Sequence, residues 1–256
     1  MPQVSLNERL LEMTQDPVAL IYAACRQCYS SQFAGALFDE KTAKPQKQIE
    51  FIRKVVASGH ESPLEHVKMT FAIEGVSRAL THQLVRHRIA SYSQQSQRYV
   101  KETDFDYIVP PSIAEDDGSR DEFIRTMVLI QKSYNALLEK FKAKGRTGER
   151  ANQDVRFVLP QAAETKIVVT MNCRELIHFF HERCCARAQW EIKRLAQAML
   201  RIAQKKLPEV FGDVGAKCDA LGYCPEGVDF TCGRYPVKEK ALKERFGSDR
   251  SARGKT

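Results

Sequence analysis

The chain has 256 residues, of which 43% are hydrophobic and 28% charged, and its formal net charge is +8. This composition excludes a largely disordered protein, and no stretch of sequence reaches the length of a membrane span, so we expect one elaborated soluble domain. The excess of positive charge favours an anionic partner: a phosphorylated small molecule, a nucleic acid or a membrane surface.

The cysteines and the first residues bear on the compartment. Residues 1–5 lack the basic start and apolar run of a secretory signal, which predicts a cytoplasmic protein. Most of the eight cysteines in such a chain are expected to be free thiols. Cys25 and Cys28 have the spacing of a redox pair or of half a metal site, but no second pair lies nearby, so we interpret them as residues of an apolar helix.

Helical spacing of apolar residues and end signals define the first elements. Asp16 and Pro17 are expected to cap and begin the first helix, and Gly59 is expected to end the second. The predicted elements, in order, are a helix from 17 to about 28, a helix over 46–58, a strand over 67–73 and a helix over 76–88.

A polar stretch at residues 86–99 follows the last of these helices. Arg78, His82 and Arg86 lie four residues apart, so one basic helix face leads into a loop rich in Ser, Gln and Arg. Arginine presents a planar fork of donors that fits a phosphate or a pyrimidine edge, and Ser and Gln offer donors and acceptors to uncharged heteroatoms. The mixture predicts a site for a phosphorylated heterocycle; a solvated polar loop is the alternative.

The second half of the chain also contains helices, strands and one charged residue in an apolar segment. Arg156 stands among apolar neighbours, where a buried guanidinium needs a partner: Asp154, Glu164 or a ligand. The predicted elements, in order, are an extended segment over 106–111, a loop over 116–119, a helix over 121–144, a helical segment over 152–158, a strand over 165–171, a helix opened by Asn172 and a helix over 189–207.

The helix after Asn172 carries three candidate ligand-binding side chains. Arg174 and His178 share one face, whereas Arg183 projects nearly opposite them at ideal geometry, so one helix can serve two ligand surfaces. All six histidines of the chain lie between residues 60 and 181, but the sequence has no HExxH arrangement, and no metal site is expected.

The segment beyond residue 211 differs in composition. It is rich in Cys, Gly and Pro, which predicts turns, and residues 238–256 are basic and expected to be mobile. Cys218, Cys224 and Cys232 leave zinc binding with a fourth group as an open alternative, although their spacing matches no strong finger pattern.

Residues 59–66 form a further motif, Gly-His-Glu-Ser-Pro-Leu-Glu-His. A turn containing Pro63 can aim His60, Ser62 and Glu65 at a ligand; alternatively Ser62 and Glu65 only cap the element that starts there. Together with three other motifs, this one resembles the flavin-dependent thymidylate synthases in order and spacing over roughly residues 15–205. The other three are Arg86-His87-Arg88 with Ser96 and Arg98, residues 155–160, and Asn172-Cys173-Arg174 through Arg183.

The resemblance implies an α/β fold with a central mixed or antiparallel sheet flanked by helices, and not a Rossmann fold. It implies a catalytic domain over residues 1–210 and a Cys/Gly-rich, basic extension over 211–256. The implied enzyme is a methyltransferase that makes dTMP from dUMP. It uses FAD, with NADPH and 5,10-methylenetetrahydrofolate as co-substrates, and it works as a homotetramer whose subunits share active sites.

Residue roles also follow from the resemblance, position by position. The flavin site would comprise His60, Ser62, Glu65, Arg86, His87, Arg88, Gln94, Asn172, Arg174 and His178. The nucleotide site would comprise Gln83, Arg86, Gln94, Gln95, Ser96, Gln97, Arg98, Arg156 and Arg183. Arg183 would be the catalytic residue, because its cation beside the uracil ring stabilises the N3-deprotonated form and makes C5 a better nucleophile. Gln94 stands where some relatives carry Glu, which removes a charge.

A second hypothesis is a basic module that binds nucleic acid, which the net charge and the basic tail favour. The polar stretch offers only Tyr92 and Tyr99 for base stacking, so it lacks the aromatic platform of the common single-strand binders. The four motifs favour the enzyme.

Overall fold

A four-stranded antiparallel sheet with helices around it forms the framework, which confirms the expected α/β class without a Rossmann unit. The computed structural model of the chain describes residues 3–39 and 45–247. The strands are β1 (Asn7–Met13), β2 (Lys68–Ser77), β3 (Ala90–Gln94) and β4 (Glu164–Asn172), in the order β1-β2-β4-β3. The helices are α1 (Pro17–Gln27), α2 (Ala34–Asp39), α3 (Pro45–Ala57), α4 (Arg78–Leu84), α5 (Pro111–Ala114), α6 (Asp117–Ala143), α7 (Glu149–Val155), α8 (Cys173–Arg183), α9 (Trp190–Lys206), α10 (Pro208–Phe211), α11 (Lys217–Leu221) and α12 (Lys238–Gly247).

The chain divides into two units, and each is described by itself. The first unit comprises Met1–Leu11 and Thr70–Thr170, and the second comprises Glu12–Met69 and Met171–Thr256. No helix in the described part of the chain is both long and apolar enough to cross a membrane.

The first unit packs the long helix α6 against the segment that follows the polar stretch. Phe105, Tyr107 and Val109 bury their side chains with Met127 of α6 and with Ala163, just before β4. Along β4 the side chains alternate between buried and accessible positions, as a strand with one covered face requires. The sheet thereby holds the start of β4 beside β3.

The second unit has its core between the helices that follow β4 and the short helix α10. Phe179 and Phe180 are fully buried, with ring centroids 5.7 Å apart, and the ring of Phe180 meets that of Phe211 edge-on at 5.9 Å. Ile192 and Leu195 of α9 are also fully buried. Aromatic packing therefore fixes α8 from the side opposite its accessible residues.

Three predicted boundaries are wrong in the first unit. The helix expected over 76–88 is shorter, because β2 continues to Ser77 and the Ser77 hydroxyl then caps α4, accepting from the Leu80 amide at 3.0 Å. The polar stretch is not all loop, since residues 90–94 form β3. Helix α6 begins at Asp117 rather than 121, because the Asp116 carboxylate accepts from the Ser119 amide at 2.7 Å.

The second unit adds one correction and one new helix. Asp16 precedes α1 with a φ of 47° and makes no side-chain capping bond, so the expected cap is absent although the helix begins at Pro17 as predicted. Residues 238–247 of the expected basic tail form helix α12, and residues 248–256 lie outside the described chain, so the expected mobility stays a prediction. Helices α3, α8 and α9 and strand β4 are confirmed to within a few residues.

Gly75 provides a direct test of the sheet. Its φ is +67°, its amide donates to Glu164 Oε1 at 2.9 Å, and a Cβ added there would overlap the carbonyl oxygen of Ser5. We expect Gly75→Ala to lower the free energy of unfolding by about 3 kcal/mol, from backbone strain and from the overlap together. Gly145→Ala is the matched control, because Gly145 has a φ of +72° but open space around it. Urea denaturation of the two variants measures the difference, and equal midpoints would contradict the close packing of Ser5 on β2.

Candidate active site

The stretch that follows α4 combines a tight turn with the edge strand β3. The Tyr92 hydroxyl lies 2.8 Å from the Leu84 carbonyl oxygen and 2.7 Å from that of His87, and it closes the turn between them. His87 is buried, whereas Arg86 and Arg88 on either side of it are exposed. The turn therefore presents two guanidinium groups at the surface and keeps the imidazole inside.

The side chain of Gln94 is held in one orientation. Its Nε2 donates to Thr81 Oγ1 at 3.0 Å and to Thr165 Oγ1 at 3.2 Å, and both threonines are buried. Because the two hydroxyls engage the amide nitrogen, the amide oxygen points away from them and can accept a hydrogen bond from a ligand.

Gln95 contributes an unsatisfied acceptor. Its amide donates to the Lys166 carbonyl at 2.9 Å and its own carbonyl accepts from Arg78 Nη1 at 3.4 Å. Its side-chain Oε1 is buried and accepts no hydrogen bond from the described residues. A buried acceptor without a donor costs about 1–3 kcal/mol, which a ligand N–H or O–H would recover. The other predicted glutamines, Gln83 and Gln97, are half-buried.

Ser96 and Arg98 belong to a second turn. The Ser96 hydroxyl accepts from the Arg98 amide at 3.2 Å, and its carbonyl accepts from the Tyr99 amide at 3.1 Å. The Arg98 guanidinium pairs with Glu149 and lies 5.7 Å from the centroid of the Tyr99 ring, while Asn152 Nδ2 donates to the Arg98 carbonyl at 3.2 Å. Arg98 is thus anchored by protein groups.

Two neighbouring cations lie in the first unit. Burial and then the positive charge of Arg156 lower the pKa of the Arg78 guanidinium, and Glu102 offsets this in part. Arg156 is half-buried rather than buried as expected, and its Nε donates to the Gln153 carbonyl at 3.3 Å. Two adjacent like charges favour an anion. The sequence placed Arg78 on a basic face but did not identify it as a site residue, since its nearness to Arg156 depends on the fold.

In the second unit, two carboxylates hold the guanidinium of Arg174. Arg174 Nη1 pairs with Glu65, and Nε lies 3.6 Å from Glu61 Oε2. The hydrogen bond that Arg174 donates to Glu65 is the main reason that the pKa of the guanidinium is raised. The alternative that Glu65 only caps the 3-10 turn Ser62–His66 is therefore wrong. Glu61 was missed, because the distant partner that it contacts is not apparent from the sequence.

His60 lies just before that turn and contacts an aromatic residue. Its Nδ1 is 2.8 Å from the Tyr29 hydroxyl, and the two ring centroids are 5.9 Å apart. The pair follows Gly59, whose φ of +83° ends α3 as predicted. Tyr29 is 60% exposed and was also missed by the sequence analysis. The contact leaves Nε2 of the imidazole as the nitrogen available to a ligand.

Helix α8 carries the remaining candidates. The Asn172 side chain accepts from the Glu175 amide at 2.8 Å, which confirms that Asn172 opens the helix. Arg174 and His178, one turn apart, are both exposed, and Arg183 is the last helical residue and half-buried. Burial lowers the pKa of His181, which keeps that imidazole neutral near pH 7.

The cysteines are free thiols. Burial raises the pKa of Cys25 to about 11 and that of Cys173 to about 12, so neither is a thiolate at neutral pH. Within residues 3–39 and 45–247, no group of three His, Cys, Asp or Glu side chains is placed to hold a metal ion.

The predicted ligand residues therefore form two sets. The first unit holds those of residues 83–98 together with Arg156, and the second holds those of residues 60–65 together with Asn172, Arg174, His178 and Arg183. Within each set, hydrogen bonds and ion pairs already orient the key side chains.

Comparisons of the sequence and of the fold with known proteins give consistent results. The sequence profile of the Thy1 family, described as thymidylate synthase complementing protein, matches residues 9–209. A protein of Nitratidesulfovibrio vulgaris named flavin-dependent thymidylate synthase is 54% identical over 93% of this chain and 99% of its own length. One of the same name from Clostridium tetani is 47% identical over 93% and 97%. A crystal structure of the UMP/dUMP methylase PolB from Streptomyces cacaoi, bound with 5-Br dUMP, has a TM-score of 0.64 at 21% identity, covering 82% of this chain and 94% of that one, and it shows the likeness of fold.

The orientation of Gln94 can be tested through Thr165. We expect Thr165→Val, which keeps the side-chain shape but removes the hydroxyl, to lower the free energy of unfolding by about 1 kcal/mol, because the Gln94 amide loses a buried acceptor. Combining it with Gln94→Leu should abolish most of this loss, since the donor is then absent as well. Urea denaturation of the two single variants and the double variant gives the coupling. Additive losses would show that Gln94 does not depend on Thr165.

Proposed function

We propose that this chain, which belongs to the Thy1 family of thymidylate synthase complementing proteins, is a flavin-dependent thymidylate synthase. It methylates dUMP to dTMP, taking the carbon from 5,10-methylenetetrahydrofolate and the hydride from FADH2, which NADPH regenerates. The observation that carries the proposal is the match of nearly the whole chain, at 54% and 47% identity, to relatives that bear this name.

The residues present fit a flavin. An isoalloxazine ring offers both N–H donors and carbonyl acceptors, and its diphosphate needs cations. Bound FAD, once reduced, supplies the hydride. The residues that would hold it are His60, Ser62, Glu65, Arg86, His87, Arg88, Gln94, Asn172, Arg174 and His178. The oriented oxygen of Gln94 and the clasped guanidinium of Arg174 support this assignment, because both are fixed before a ligand binds.

The nucleotide would lie on the polar stretch. We assign its contacts to Gln83, Arg86, Gln94, Gln95, Ser96, Gln97, Arg98, Arg156 and Arg183. The buried Oε1 of Gln95 suits a ligand donor, and the like charges of Arg78 and Arg156 suit a phosphate, whose binding would relieve their repulsion. Arginine forks also match phosphate oxygens in pairs.

Arg183 is the residue to which we assign activation of the substrate. Carbon C5 of uracil must form the new bond to the methylene carbon, and it is a poor nucleophile in the neutral base. A guanidinium beside the ring stabilises the anion that remains when N3 loses its proton, and this anion pushes electron density to C5. No cysteine is needed as a nucleophile, and Cys173, between Asn172 and Arg174, is buried with its pKa raised to about 12.

The organisation of the protein follows from the same proposal. Residues 1–210 would be the catalytic domain and 211–256 an extension, and the end of the family match at residue 209 supports this boundary. We also propose a cytoplasmic homotetramer with shared sites. In its support, one face of the sheet in the first unit is accessible and carries Leu11 and Val168 beside Arg9, Glu74 and Lys166, a mixture of apolar and opposite charges that can pair with a second copy.

The proposal is tested by an absorbance spectrum of the purified protein with FAD, before and after adding dUMP. We expect flavin bands that differ from those of free FAD and shift again with dUMP, because both ligands share one site. Adding NADPH and methylenetetrahydrofolate should then yield dTMP, measured by chromatography. A folded protein that gives the spectrum of free FAD and no dTMP would contradict the function and bring the nucleic-acid hypothesis forward.

The role of Arg183 is tested separately. We expect Arg183→Ala to lower kcat/KM for dUMP by about 1,000-fold, since one group that stabilises developing charge is lost, while FAD still binds. The kcat/KM of Arg183→Lys should lie between those of the wild type and Arg183→Ala, because lysine keeps the charge but lacks the planar fork of donors. Arg201→Ala, which removes an exposed arginine of α9, is the control and should keep wild-type kinetics. Equal kinetics for Arg183→Ala and Arg201→Ala would exclude Arg183 as the activating residue.

A further inference from the structure

A short connection of six residues, 184–189, joins α8 to α9 in the second unit. The Cys184 amide still donates to the Phe180 carbonyl at 2.9 Å, and Gln189 caps α9 by accepting from the Glu191 and Ile192 amides at 3.0 and 3.1 Å. Between these two ends, the Ala188 amide donates to the Cys185 carbonyl at 3.1 Å and closes a turn. Arg183 stands immediately before this connection.

The extension beyond residue 211 contacts this connection through Arg187. The Arg187 guanidinium pairs with the Glu226 carboxylate, and its Cζ lies 4.3 Å from the centroid of the Phe230 ring. The cation is thus held by a carboxylate and by the face of an aromatic ring, which are the two partners that a planar guanidinium accepts best. Arg187 lies only four residues after Arg183.

The loop that presents Glu226 and Phe230 is itself tied down. Asp219 accepts from the Ala216 amide at 2.8 Å and pairs with Arg234 at 2.6 Å, and Tyr235 hydrogen-bonds to its carboxylate. The Cys224 amide donates to the Pro236 carbonyl at 2.7 Å and closes the loop at its base. The loop is therefore a built structure rather than a chain end that happens to lie nearby.

A second contact and a lined cavity join the extension to the end of α8. Lys217 lies 3.8 Å from Glu182, and the cavity, of about 180 Å³, is bordered by thiols from both segments. Burial raises the pKa of Cys184 to about 11, so this thiol packs as a neutral group. The thiols in the wall are Cys184, Cys185, Cys218, Cys224 and Cys232.

From these contacts we infer that the extension is a positioning device for Arg183, in which Glu226 and Phe230 clamp Arg187 and thereby fix the end of α8. The last turn of a helix lacks forward hydrogen-bond partners and frays unless something holds it. Holding Arg187, four residues further along, restricts the backbone at the end of the helix, where Arg183 lies. Misplacing a catalytic group by about 1 Å can cost about 100-fold in rate. The inference rests on the proposed function and assigns the Cys-rich segment a part in it.

The test uses the full-length enzyme. We expect Glu226→Gln and Phe230→Leu each to lower kcat for dTMP formation by about tenfold, with the affinity for FAD unchanged. The reason is that Arg183 is still present in these variants but is held less firmly. The apparent pKa of the substrate step in the pH profile of kcat/KM should rise, since a displaced Arg183 stabilises the N3 anion less well. A role confined to stability would not move that profile.

The control is Asp229→Asn, which removes an equal charge from the same loop at an exposed residue without an ion pair in the described chain, and it should behave as wild type. Arg187→Lys keeps the charge and should recover part of the rate lost in Arg187→Ala. Wild-type rates and pH profile in Glu226→Gln, with the wild type making dTMP, would overturn the inference alone. Failure of the wild type to make dTMP would overturn the proposed function instead.

Discussion

The hydrogen bond from the Glu175 amide to the side chain of Asn172 is the interaction on which the second half of the candidate site depends. It begins α8 at a defined residue, and a helix that begins at a defined residue places every later side chain at a known angle. Arg174 then falls in the first turn, where Glu61 and Glu65 can reach it, and Arg183 falls at the last helical position. Buried phenylalanines on the other side keep the helix from turning about its axis.

In the first unit, by contrast, the main constraint is the fixed orientation of uncharged hydrogen-bonding groups. The buried hydroxyls of Thr81 and Thr165 decide which end of the Gln94 amide faces a ligand. Nearby, burial raises the pKa of Glu102 and lowers that of Arg78, so both groups lie where charge is costly. We therefore expect such a site to bind most tightly a ligand that supplies both a hydrogen-bond donor and a negative charge.

Much of this was predictable because the signals were local. The β-branched run of β4, the Asn172 cap and the Gly59 stop each act within a few residues, and the structure agrees with all three. Strand β3 was missed because Ser and Gln are not among the residues enriched in strands, and its pairing with β4, far along the chain, is not apparent from the sequence. The helix expected from Val76 begins later for a related reason, since pairing within the sheet extends β2 to Ser77 and overrides the helical pattern at its first two residues.

Two of the contacts that the sequence did not reveal join residues far apart in the chain. Glu65 and Arg174 are 109 residues apart, and Arg187 and Glu226 are 39 apart. Spacing cannot report such pairs, because their distance is set by the packing of the elements between them. The resemblance to a known family identified Glu65 and Arg174 as site residues but did not predict that they form an ion pair.

One of these two arginine pairs lies in the first turn of α8 and the other lies four residues beyond Arg183, where that helix ends, and their exposure bears on their use. All four of the groups in the Arg174–Glu65 and Arg187–Glu226 pairs are partly exposed, and pairs of this kind add little to stability because solvent screens them and ordering long side chains costs entropy. Stability is therefore a poor reason for their presence. A guanidinium held in one direction is useful where direction decides the rate, and so the loss of a clamp should be felt in catalysis well before it is felt in folding.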